Sequence, residues 1–340
     1  MGQYITKFFI MNFWNKLEKP IFALAPMEDV TDCAFREMFA LHSTNSDSSQ
    51  TSGKLRNNFV LFTEFVSTDG LMHPEGRKKL QIDLQYTEKQ RPIVAQIWGR
   101  DPEKFTRVAE YLCELGFDGI DINFGCPQTK EIQAGACAAL IREPKLAQEI
   151  ILAAKKGAGN LPVSVKTRIG YSKIEEMENW FLNILETEPA AITLHGRTKK
   201  EMSKVPAHWD KIAEAVNIRN LQKSPTLILG NGDIISREQG LSRIKETGAD
   251  GVMIGRGAFG NPWIFSPQNI TVQDRLKVMC EHAELYEKLF FGIKSFATMR
   301  KHFKAYCSGF DRAAELRAVL MNVKNTEELK AAVTEFLKTF

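Results

Sequence analysis

Short apolar segments alternate with amphipathic helical segments along the chain from Phe22 onward. Apolar runs of this length, bounded by glycine, proline or polar residues, predict strands buried on both faces. Eight are predicted, at Phe22–Met27, Val60–Val66, Pro92–Gly99, Gly119–Gly125, Val163–Ile169, Ala191–Thr198, Thr226–Asp233 and Gly251–Ala258. Strands and helices that alternate at this count predict an α/β fold, a closed (β/α)8 TIM barrel, rather than an open doubly wound sheet.

The periodicity changes after Pro262, and from about Val272 to Phe340 only helical spacing is found. This predicts a smaller all-α domain with an apolar stripe at Leu276, Met279, Cys280, Ala283, Tyr286 and Leu289. We therefore divide the chain into a lead-in (1–20) that covers one end of the barrel, a barrel domain (21–266) and a helical domain (267–340). A polar stretch at 42–58 predicts an exposed, mobile insertion in the barrel domain.

Composition narrows the protein class only slightly. The 340 residues are 44% hydrophobic with a formal charge of +4, so any site for a polyanion must be a local patch. Six cysteines occur without a C-x-x-C pair, which disfavours a zinc knuckle or a disulfide framework and favours a reducing, cytoplasmic location. The apolar run Phe8–Trp14 is too short to cross a membrane.

One stretch of the helical domain is locally basic. Acidic residues in this window are only Asp311 and Glu315, and His302, Phe303 and Tyr306 are interleaved with the cations Lys294, Arg300, Lys301, Lys304, Arg312 and Arg317. A basic helical face with aromatic residues can bind the RNA backbone, and a solvated helix surface is the alternative interpretation.

Glycines follow the seventh and eighth predicted strands, in Gly230-Asn231-Gly232-Asp233 and Gly255-Arg256-Gly257. Such glycines expose backbone N–H groups, and barrels commonly hold a phosphate in these two loops. Arg256 adds a charged donor. The alternative is two tight turns, but their occurrence at both strand ends favours a phosphorylated cofactor across the barrel mouth.

Polar residues occupy the ends of the other predicted strands. They are Pro26, Met27 and Glu28 after the first strand, Gln96 in the third, Lys166 and Arg168 in the fifth, and His195 and Arg197 in the sixth. Lys166 is costly to bury without an anion, so we expect it to meet a negative cofactor edge. His195 could be a satisfied core residue, but its place beside Arg197 favours contact with an anion or a carbonyl.

The strand Gly119–Gly125 is followed by Cys126 and Pro127. Proline restricts the preceding residue to extended geometry, so the Cys126 thiol lies on a constrained backbone at a strand's carboxyl end, where barrel enzymes carry out chemistry. A buried structural cysteine is the alternative. The small residues that follow, through Gly135–Ala138, suit a mobile loop that closes over a ligand.

Several motifs together resemble the tRNA-dihydrouridine synthase family. They are APMEDVTD at Ala25–Asp32, TEFV at Thr63–Val66, DINFGCP at Asp121–Pro127, VKTRIG at Val165–Gly170, LHGRT at Leu194–Thr198, GNGDI at Gly230–Ile234, IGRGAFGNPWIF at Ile254–Phe265 and MRKHFKAY at Met299–Tyr306. The resemblance implies a barrel that binds FMN and a helical domain that binds tRNA. NADPH would reduce the flavin, which then passes a hydride to C6 of a uridine.

The resemblance also implies roles for individual residues. Cys126 would donate a proton to C5, a step that needs a positioned acid. A thiol with an ordinary pKa is mostly protonated at neutral pH. Pro26, Met27, Glu28, Gln96 and Lys166 would surround the isoalloxazine ring, and His195, Asn231, Gly232, Asp233, Gly255 and Arg256 would hold the ribityl phosphate. Asn123, Arg168 and Arg197 would contact the uracil, and Arg300, Lys301 and Lys304 the tRNA backbone.

Two features depart from the family pattern. Cys137 stands in a loop where G-A-G-A is usual, so a second thiol could oxidise with Cys126 or simply pack, and the 42–58 insertion is not expected. Two rival functions are an FMN enzyme acting on free pyrimidines, similar to the dihydroorotate dehydrogenases, and an RNA-binding protein without turnover. The basic helical stretch argues against the first rival, and intact Cys126 and Lys166 against the second. No stable protein partner is implied.

Overall fold

The computed structural model describes residues 12–43, 58–266 and 269–340. Most of the predicted insertion at 42–58 lies outside the described residues, as does the first half of the predicted lead-in. The predicted boundary between the barrel and helical domains, at residue 267, also falls on a residue that is not described.

Nine strand segments form one parallel sheet within the described residues, in the order β2-β1-β9-β8-β7-β6-β5-β4-β3. A further pairing between β2 and β4 closes this sheet into a barrel. Because β2 and β3 both pair with β4, they occupy a single position, and the prediction of an eight-stranded TIM barrel is confirmed. The strands are β1 (Ile21–Leu24), β2 (Phe59–Phe62), β3 (Val66–Ser67), β4 (Ile93–Trp98), β5 (Gly119–Phe124), β6 (Val163–Gly170), β7 (Ala191–Thr198), β8 (Leu227–Asn231) and β9 (Gly251–Ile254).

Several strands end earlier than predicted. β8 stops at Asn231 because Gly232 and Asp233 have φ values of 134° and 57°, outside the extended region. The predicted second strand is divided into β2 and β3, and Glu64, between the two segments, accepts a hydrogen bond from the Asp29 N–H at 2.5 Å. Both interruptions place polar groups at the carboxyl ends of strands.

Helices follow the strands and surround the barrel. Capping residues set their starts, as where Asp101 accepts from the Glu103 N–H and Pro102 occupies the first turn of α4. The α-helices are α1 (Cys33–His42), α2 (Thr68–Met72), α3 (Pro74–Leu80), α4 (Pro102–Glu114), α5 (Thr129–Gln133), α6 (Pro144–Ala158), α7 (Met177–Leu185), α8 (Trp209–Leu221), α9 (Arg237–Thr247), α10 (Val272–Phe290), α11 (Arg300–Tyr306), α12 (Ala313–Leu320) and α13 (Thr326–Lys338).

The segment after Cys126, predicted to be a mobile loop that closes over a ligand, contains regular structure. It contains α5 and a 3-10 helix at Cys137–Arg142, and the side chains from Ala136 to Ile141 are buried. The glycine-bearing run therefore packs against the barrel.

The lower, amino-terminal end of the barrel is closed by the described part of the lead-in. A 3-10 helix at Phe13–Lys16 buries Phe13 and Trp14 against the inward-facing barrel residues. A Cβ on Gly119, at the start of β5, would lie 3.1 Å from the Phe13 ring. Aromatic rings thus fill the space below the strands at this end of the barrel.

The C-terminal helices share a core with the barrel domain. Cys33, Ala34 and Met38 of α1 pack in the same apolar cluster as residues of α10 to α13. His302, Phe303 and Tyr306 of α11 are buried in this region, with exposed fractions of 0%, 0% and 1%. The prediction that these three aromatic residues are interleaved on an RNA-binding face is therefore wrong, because helical spacing turns them toward the core.

Among the helices in the described ranges, none combines the length and apolarity needed to cross a membrane.

Candidate active site

A cavity of about 630 Å³ opens at the carboxyl ends of the barrel strands. Parallel strands in a barrel all present their carboxyl ends at one mouth, so residues far apart in sequence meet there. The structure brings together on its wall most of the predicted cofactor residues, together with two of the residues predicted to contact the uracil, Arg168 and Arg197. The cofactor residues are Pro26, Met27, Lys166, His195, Asn231, Gly232, Asp233, Gly255 and Arg256.

Lys166 extends from β6 into this cavity, while its neighbours Val165 and Thr167 are fully buried on the other side of the strand. Its ammonium group has no hydrogen bond or ion pair within the described part of the chain. Burial, and secondarily Arg168, lower the pKa of Lys166 to about 8, although Asp121 and Cys126 oppose this. A cation that is enclosed and unpaired indicates a place for an anionic ligand.

The glycines at the mouth serve different purposes. A Cβ on Gly230 would lie 2.3 Å from the Trp209 ring, and one on Gly257 would lie 2.4 Å from the Ile234 carbonyl, so close packing explains both. Gly255 differs, because a Cβ there would meet nothing nearer than Ala25 and Met27 at 3.6 Å. The tight-turn alternative therefore accounts for part of the pattern, and Gly255 borders open space in the cavity.

Asp233 anchors one side of the cavity. Its carboxylate accepts hydrogen bonds from Arg197, from the Ala207 N–H at 2.9 Å and from Arg256 at 2.9 Å. Burial opposes ionisation, but the hydrogen bonds from Arg197 and Ala207 hold the pKa of Asp233 below its ordinary value. Asp233 is therefore a fixed negative charge that orients two arginines.

His195 is a neutral side chain in the cavity wall. Its Nε2 lies 3.2 Å from Arg197 Nη1, and because a guanidinium group can only donate, Nε2 is the acceptor and Nδ1 carries the proton. Burial, followed by the charges of Arg168, Lys166 and Arg197, holds the pKa of His195 well below its usual range. His195 can therefore donate one neutral hydrogen bond to a ligand.

Arg168 is held by carbonyl groups. Its Nε donates to Gly125 at 2.8 Å, and its Nη1 donates to Thr198 at 3.1 Å and Met202 at 3.0 Å. Burial is the main cause that lowers the pKa of Arg168, to about 10. The side chain thus joins the ends of β5 and β7, immediately beside Cys126.

The backbone at Cys126 is held by Asn123. The Asn123 Oδ1 accepts from the N–H groups of Gly125 and Cys126, both at 2.9 Å, and its Nδ2 donates to Gln96 Oε1 at 3.0 Å. Both ends of the Asn123 amide are therefore used within the protein. The arrangement makes Asn123 a positioning residue for the turn that carries the thiol.

Asp121 extends this network and was not predicted as a site residue. Its carboxylate accepts from Gln96 Nε2 at 2.6 Å and from Ser164 Oγ at 2.6 Å. Burial raises the pKa of Asp121 to about 6, although the hydrogen bonds from Ser164 and Gln96 oppose the increase. The signal in the sequence was an acidic residue between two isoleucines on a buried strand, which is costly without a partner.

Cys126 is nearly enclosed, with 9% of its surface exposed, and the next residue, Pro127, lines the cavity. The segment that carries Cys137 returns to this turn, where the Ala138 N–H donates to the Cys126 carbonyl at 3.3 Å. The interaction with the Cys137 side chain lowers the pKa of Cys126 from the ordinary thiol value, although burial opposes the change.

A sequence model of the dihydrouridine synthase family matches residues 23–340, which is nearly the whole chain. The chain belongs to the dihydrouridine synthase family. A probable tRNA-dihydrouridine synthase of Staphylococcus aureus (strain MRSA252) is 42% identical over 328 residues, covering 96% of this chain and 95% of that protein. Probable tRNA-dihydrouridine synthase 2 of Bacillus subtilis (strain 168) is 40% identical over 332 residues, covering 97% and 98%. The family resemblance inferred from the motifs is thereby confirmed.

Similarity to a solved structure supports the assignment of the fold and says nothing about the function. The 6-hydroxypseudooxynicotine amine oxidase of Pseudomonas geniculata N1 aligns with a TM-score of 0.50 at 10% identity, covering 71% of this chain and 45% of that chain.

In this member of the dihydrouridine synthase family, Glu28 lies at the rim rather than on the cavity wall. Its exposed carboxylate accepts from Gln128 Nε2 at 2.8 Å, which joins the loop after β1 to the segment after Cys126. Burial, with the charges of Glu131 and Asp29, raises the pKa of Glu28.

Some cations in the basic stretch of the helical domain are paired within the protein, and others are exposed. Asp311 and Glu315 are the acidic residues of this sequence window, but Lys294 pairs with two acids from outside it, Asp83 at 3.0 Å and Glu64 at 3.5 Å, across the junction with the barrel.

Other cations of the stretch are also engaged. Lys301 donates to the Asp29 carbonyl, Arg317 donates to the Cys307 carbonyl at 2.6 Å, and Arg312 pairs with Glu315 at 2.9 Å. Two exposed cations, Arg300 and Lys304, have no partner in the described residues. Four positions apart on α11, they lie on one face.

Proposed function

We propose that the protein is a flavin-dependent tRNA-dihydrouridine synthase that reduces the C5–C6 double bond of a uridine in tRNA, with FMN as cofactor and NADPH as reductant. This proposal rests mainly on the unpaired ammonium group of Lys166, which lies in a cavity beside the turn that holds Cys126. The tRNA substrate is supported by the names of the relatives from Staphylococcus aureus and Bacillus subtilis.

The residues on the cavity wall suit a phosphorylated, partly anionic cofactor. Lys166 would face the electron-rich edge of the flavin ring, and His195 would donate through Nδ1. Arg256, oriented by Asp233, and the open space at Gly255 would accept the phosphate end. Gln96 is fully buried behind the cavity wall, where its oxygen and one N–H are used by Asn123 and Asp121, so it would act by holding these two residues.

When bound and reduced, the flavin supplies a hydride for C6 of the uracil. Cys126 supplies the proton for C5: its S–H bond breaks, the proton moves to carbon, and the electron pair stays on sulfur. Asn123 and Arg168 keep the Cys126 turn in place during this step, because they hold its N–H and the Gly125 carbonyl. Neither residue has to move for the transfer to occur.

The uridine must leave its stacked position in the tRNA to reach this cavity. Two apolar side chains at the opening, Met202 and Ile235, are 39% and 70% exposed and border the cavity. They offer an apolar surface to an extruded base. Arg300 and Lys304 would contact tRNA phosphates from the side, which positions the substrate without reading its bases.

The test is reduction of an unmodified tRNA transcript by the purified protein with FMN and NADPH. We expect the gain of two hydrogens at a uridine, detected by mass spectrometry of the nucleosides, and no reduction of free uridine or orotate. Reduction of the free pyrimidines at a comparable rate would support the rival enzyme instead. Tight tRNA binding without NADPH oxidation would support the RNA-binding rival.

A further inference from the structure

The backbone of Asp29 is held from two sides. Its N–H donates to Glu64 Oε2 at 2.5 Å, and its carbonyl accepts a hydrogen bond from the Lys301 ammonium group. Glu64 follows β2 in the barrel, whereas Lys301 belongs to α11 of the helical domain, 272 positions from Asp29 in the sequence. The Asp29 side chain is exposed, so the contacts that fix this residue come from its backbone.

Asp29 lies in a turn that borders the cavity. The turn, residues 27–31, is part of the connection between β1 and α1, and Met27 lines the cavity. The Met27 carbonyl accepts from the N–H groups of Val30 and Thr31 at 3.1 and 3.0 Å, and the Met27 N–H donates to Thr31 Oγ1 at 2.9 Å. Because these hydrogen bonds join the turn into one unit, a displacement of Asp29 also displaces Met27.

The conformation of Asp29 needs support from its surroundings. Its φ is 57°, in the left-handed region, which costs a non-glycine residue about 1 kcal/mol. Aspartate is one of the residues that tolerate this region best, but the turn still has to be held there. The hydrogen bonds from Asp29 to Glu64 and from Lys301 to Asp29 act on the two backbone groups of the strained residue itself.

Glu64 is fixed in turn by the helical domain. Only 5% of its surface is exposed, and its Oε1 lies 3.5 Å from Lys294 Nζ. Lys294 also pairs with Asp83 at 3.0 Å, so its ammonium group joins two acids of the barrel domain. Two lysines of the helical domain therefore support the turn, Lys294 through Glu64 and Lys301 by direct contact with Asp29.

We infer that Glu64 and Lys301 are positioning residues for the cofactor cavity, which hold the turn 27–31 so that Met27 keeps its place on the cavity wall. The inference rests on the proposed function, in which this cavity binds the flavin. It replaces the predicted contact of Lys301 with the tRNA backbone by a role at the flavin site. The helical domain thus contributes to cofactor binding as well as to tRNA docking.

Variants of Lys301 test this role, because the side chain is only partly buried and can be changed without opening the core. Lys301→Met removes the donor and Lys301→Arg keeps one, and Lys277→Met, at an exposed position of α10, is the matched control. The measurement is FMN fluorescence during titration of the apoprotein. We expect Lys301→Met to lower flavin affinity about 3- to 10-fold, as for loss of one hydrogen bond, with Lys301→Arg near the wild type and Lys277→Met unchanged.

Equal flavin affinity in Lys301→Met and the wild type would overturn the inference, as would a Lys301→Arg variant that loses as much as Lys301→Met. Binding of tRNA against salt supplies the opposite readout, because each phosphate contact contributes about one to the slope of log affinity against log salt concentration. Lys304→Met should reduce this slope by about one, whereas Lys301→Met should keep the wild-type slope. A reduced slope together with unchanged flavin affinity in Lys301→Met would identify Lys301 as a tRNA contact.

Hydrogen exchange in the flavin-free protein tests the backbone contacts directly. The Asp29 amide hydrogen should exchange about 3- to 10-fold faster in Lys301→Met than in the wild type, and faster still in Glu64→Ala, which removes the acceptor. Mass spectrometry of a peptide that spans residues 27–31 gives these rates. Faster exchange without loss of flavin affinity would overturn the inference, because the turn would then be held for stability alone.

Failure of the proposed function gives a different result. A wild-type protein that binds no flavin would overturn that function, and the exchange rates would then show separately whether Glu64 and Lys301 hold the turn. A wild-type protein that binds flavin as tightly as Lys301→Met and Glu64→Ala would leave the proposed function standing and remove the positioning role alone.

Discussion

The barrel mouth and the outer face of α11 carry positive charge in opposite ways. At the mouth, Arg168 and Arg197 are buried and bound to carbonyl groups or to Asp233, and only Lys166 is left unpaired among the described residues there. On α11, Arg300 and Lys304 are exposed and unpaired in the same described residues. The first arrangement is preorganised for chemistry on one bound group, and the second suits a long, mobile polyanion whose contacts are screened by salt.

The largest effect is expected at the proton donor. Cys126→Ala should slow uridine reduction by about 100-fold or more, because general acid catalysis contributes about 10²- to 10⁴-fold. Binding of tRNA, measured by filter retention, should not change. Wild-type turnover by this variant would show that Cys126 is not the proton donor.

The next effect concerns the unpaired cation. Lys166→Met keeps the length of the side chain and removes its charge, so flavin affinity should fall about 10- to 100-fold, as for loss of one charge-assisted hydrogen bond. Flavin fluorescence during titration of the apoprotein gives the affinity. Arg256→Met is the matched comparison and should lose less, because Arg256 is 68% exposed and shares Asp233. Equal losses of flavin affinity in the two variants would contradict the expectation that the more buried cation contributes more.

Charge changes on the exposed face of α11 should alter the salt dependence of tRNA binding and leave the reaction at the barrel mouth unchanged. We expect Arg300→Glu with Lys304→Glu to weaken tRNA binding about tenfold at low salt, and less at high salt. NADPH oxidation without tRNA should remain at the wild-type rate. The matched control is Lys223→Glu with Lys245→Glu, two exposed cations at the opposite end of the barrel. If both double variants lose the same affinity, α11 is not the docking face.

A pH dependence of flavin binding should be the smallest effect near neutral pH, and it should grow as the pH rises above 8. The pKa of Lys166 without ligand is about 8, and an anionic ligand raises it, so the bound state holds the proton more tightly. Flavin affinity should therefore be highest below pH 8 and decline, by up to about tenfold per pH unit, as pH rises above it. Lys166→Met should show a flat profile over the same range. An unchanged slope in that variant would assign the dependence to another group.

The architecture followed from the sequence because continuous apolar runs leave little choice of strand position. The site residues were found for a related reason: charges such as Lys166 stand out within apolar strands. Their partners could not be predicted, because they come from other strands. Asn123 and Gln96 were expected to face ligands, yet most of their hydrogen-bonding groups are used by one another, by Asp121 and by the Cys126 turn.

The helical domain shows where pattern alone fails. Helical spacing located the apolar stripe but could not tell which side of the short α11 faces the barrel, so His302, Phe303 and Tyr306 were assigned to the wrong surface. Lys294 and Lys301 looked like free cations because their partners, Asp83 and the Asp29 carbonyl, lie more than two hundred residues earlier. Such pairings depend on tertiary structure, which a local pattern does not contain.

Within the described residues, Phe13 and Trp14 close the amino-terminal end of the barrel, and the cavity opens at the opposite end. Under the proposed function, a nicotinamide and a nucleobase would both need the flavin face at this opening and would bind there in turn, so each should act as a competitive inhibitor of the other. Steady-state rates plotted in double-reciprocal form should give parallel lines, the pattern of an enzyme that releases its first product before admitting its second substrate.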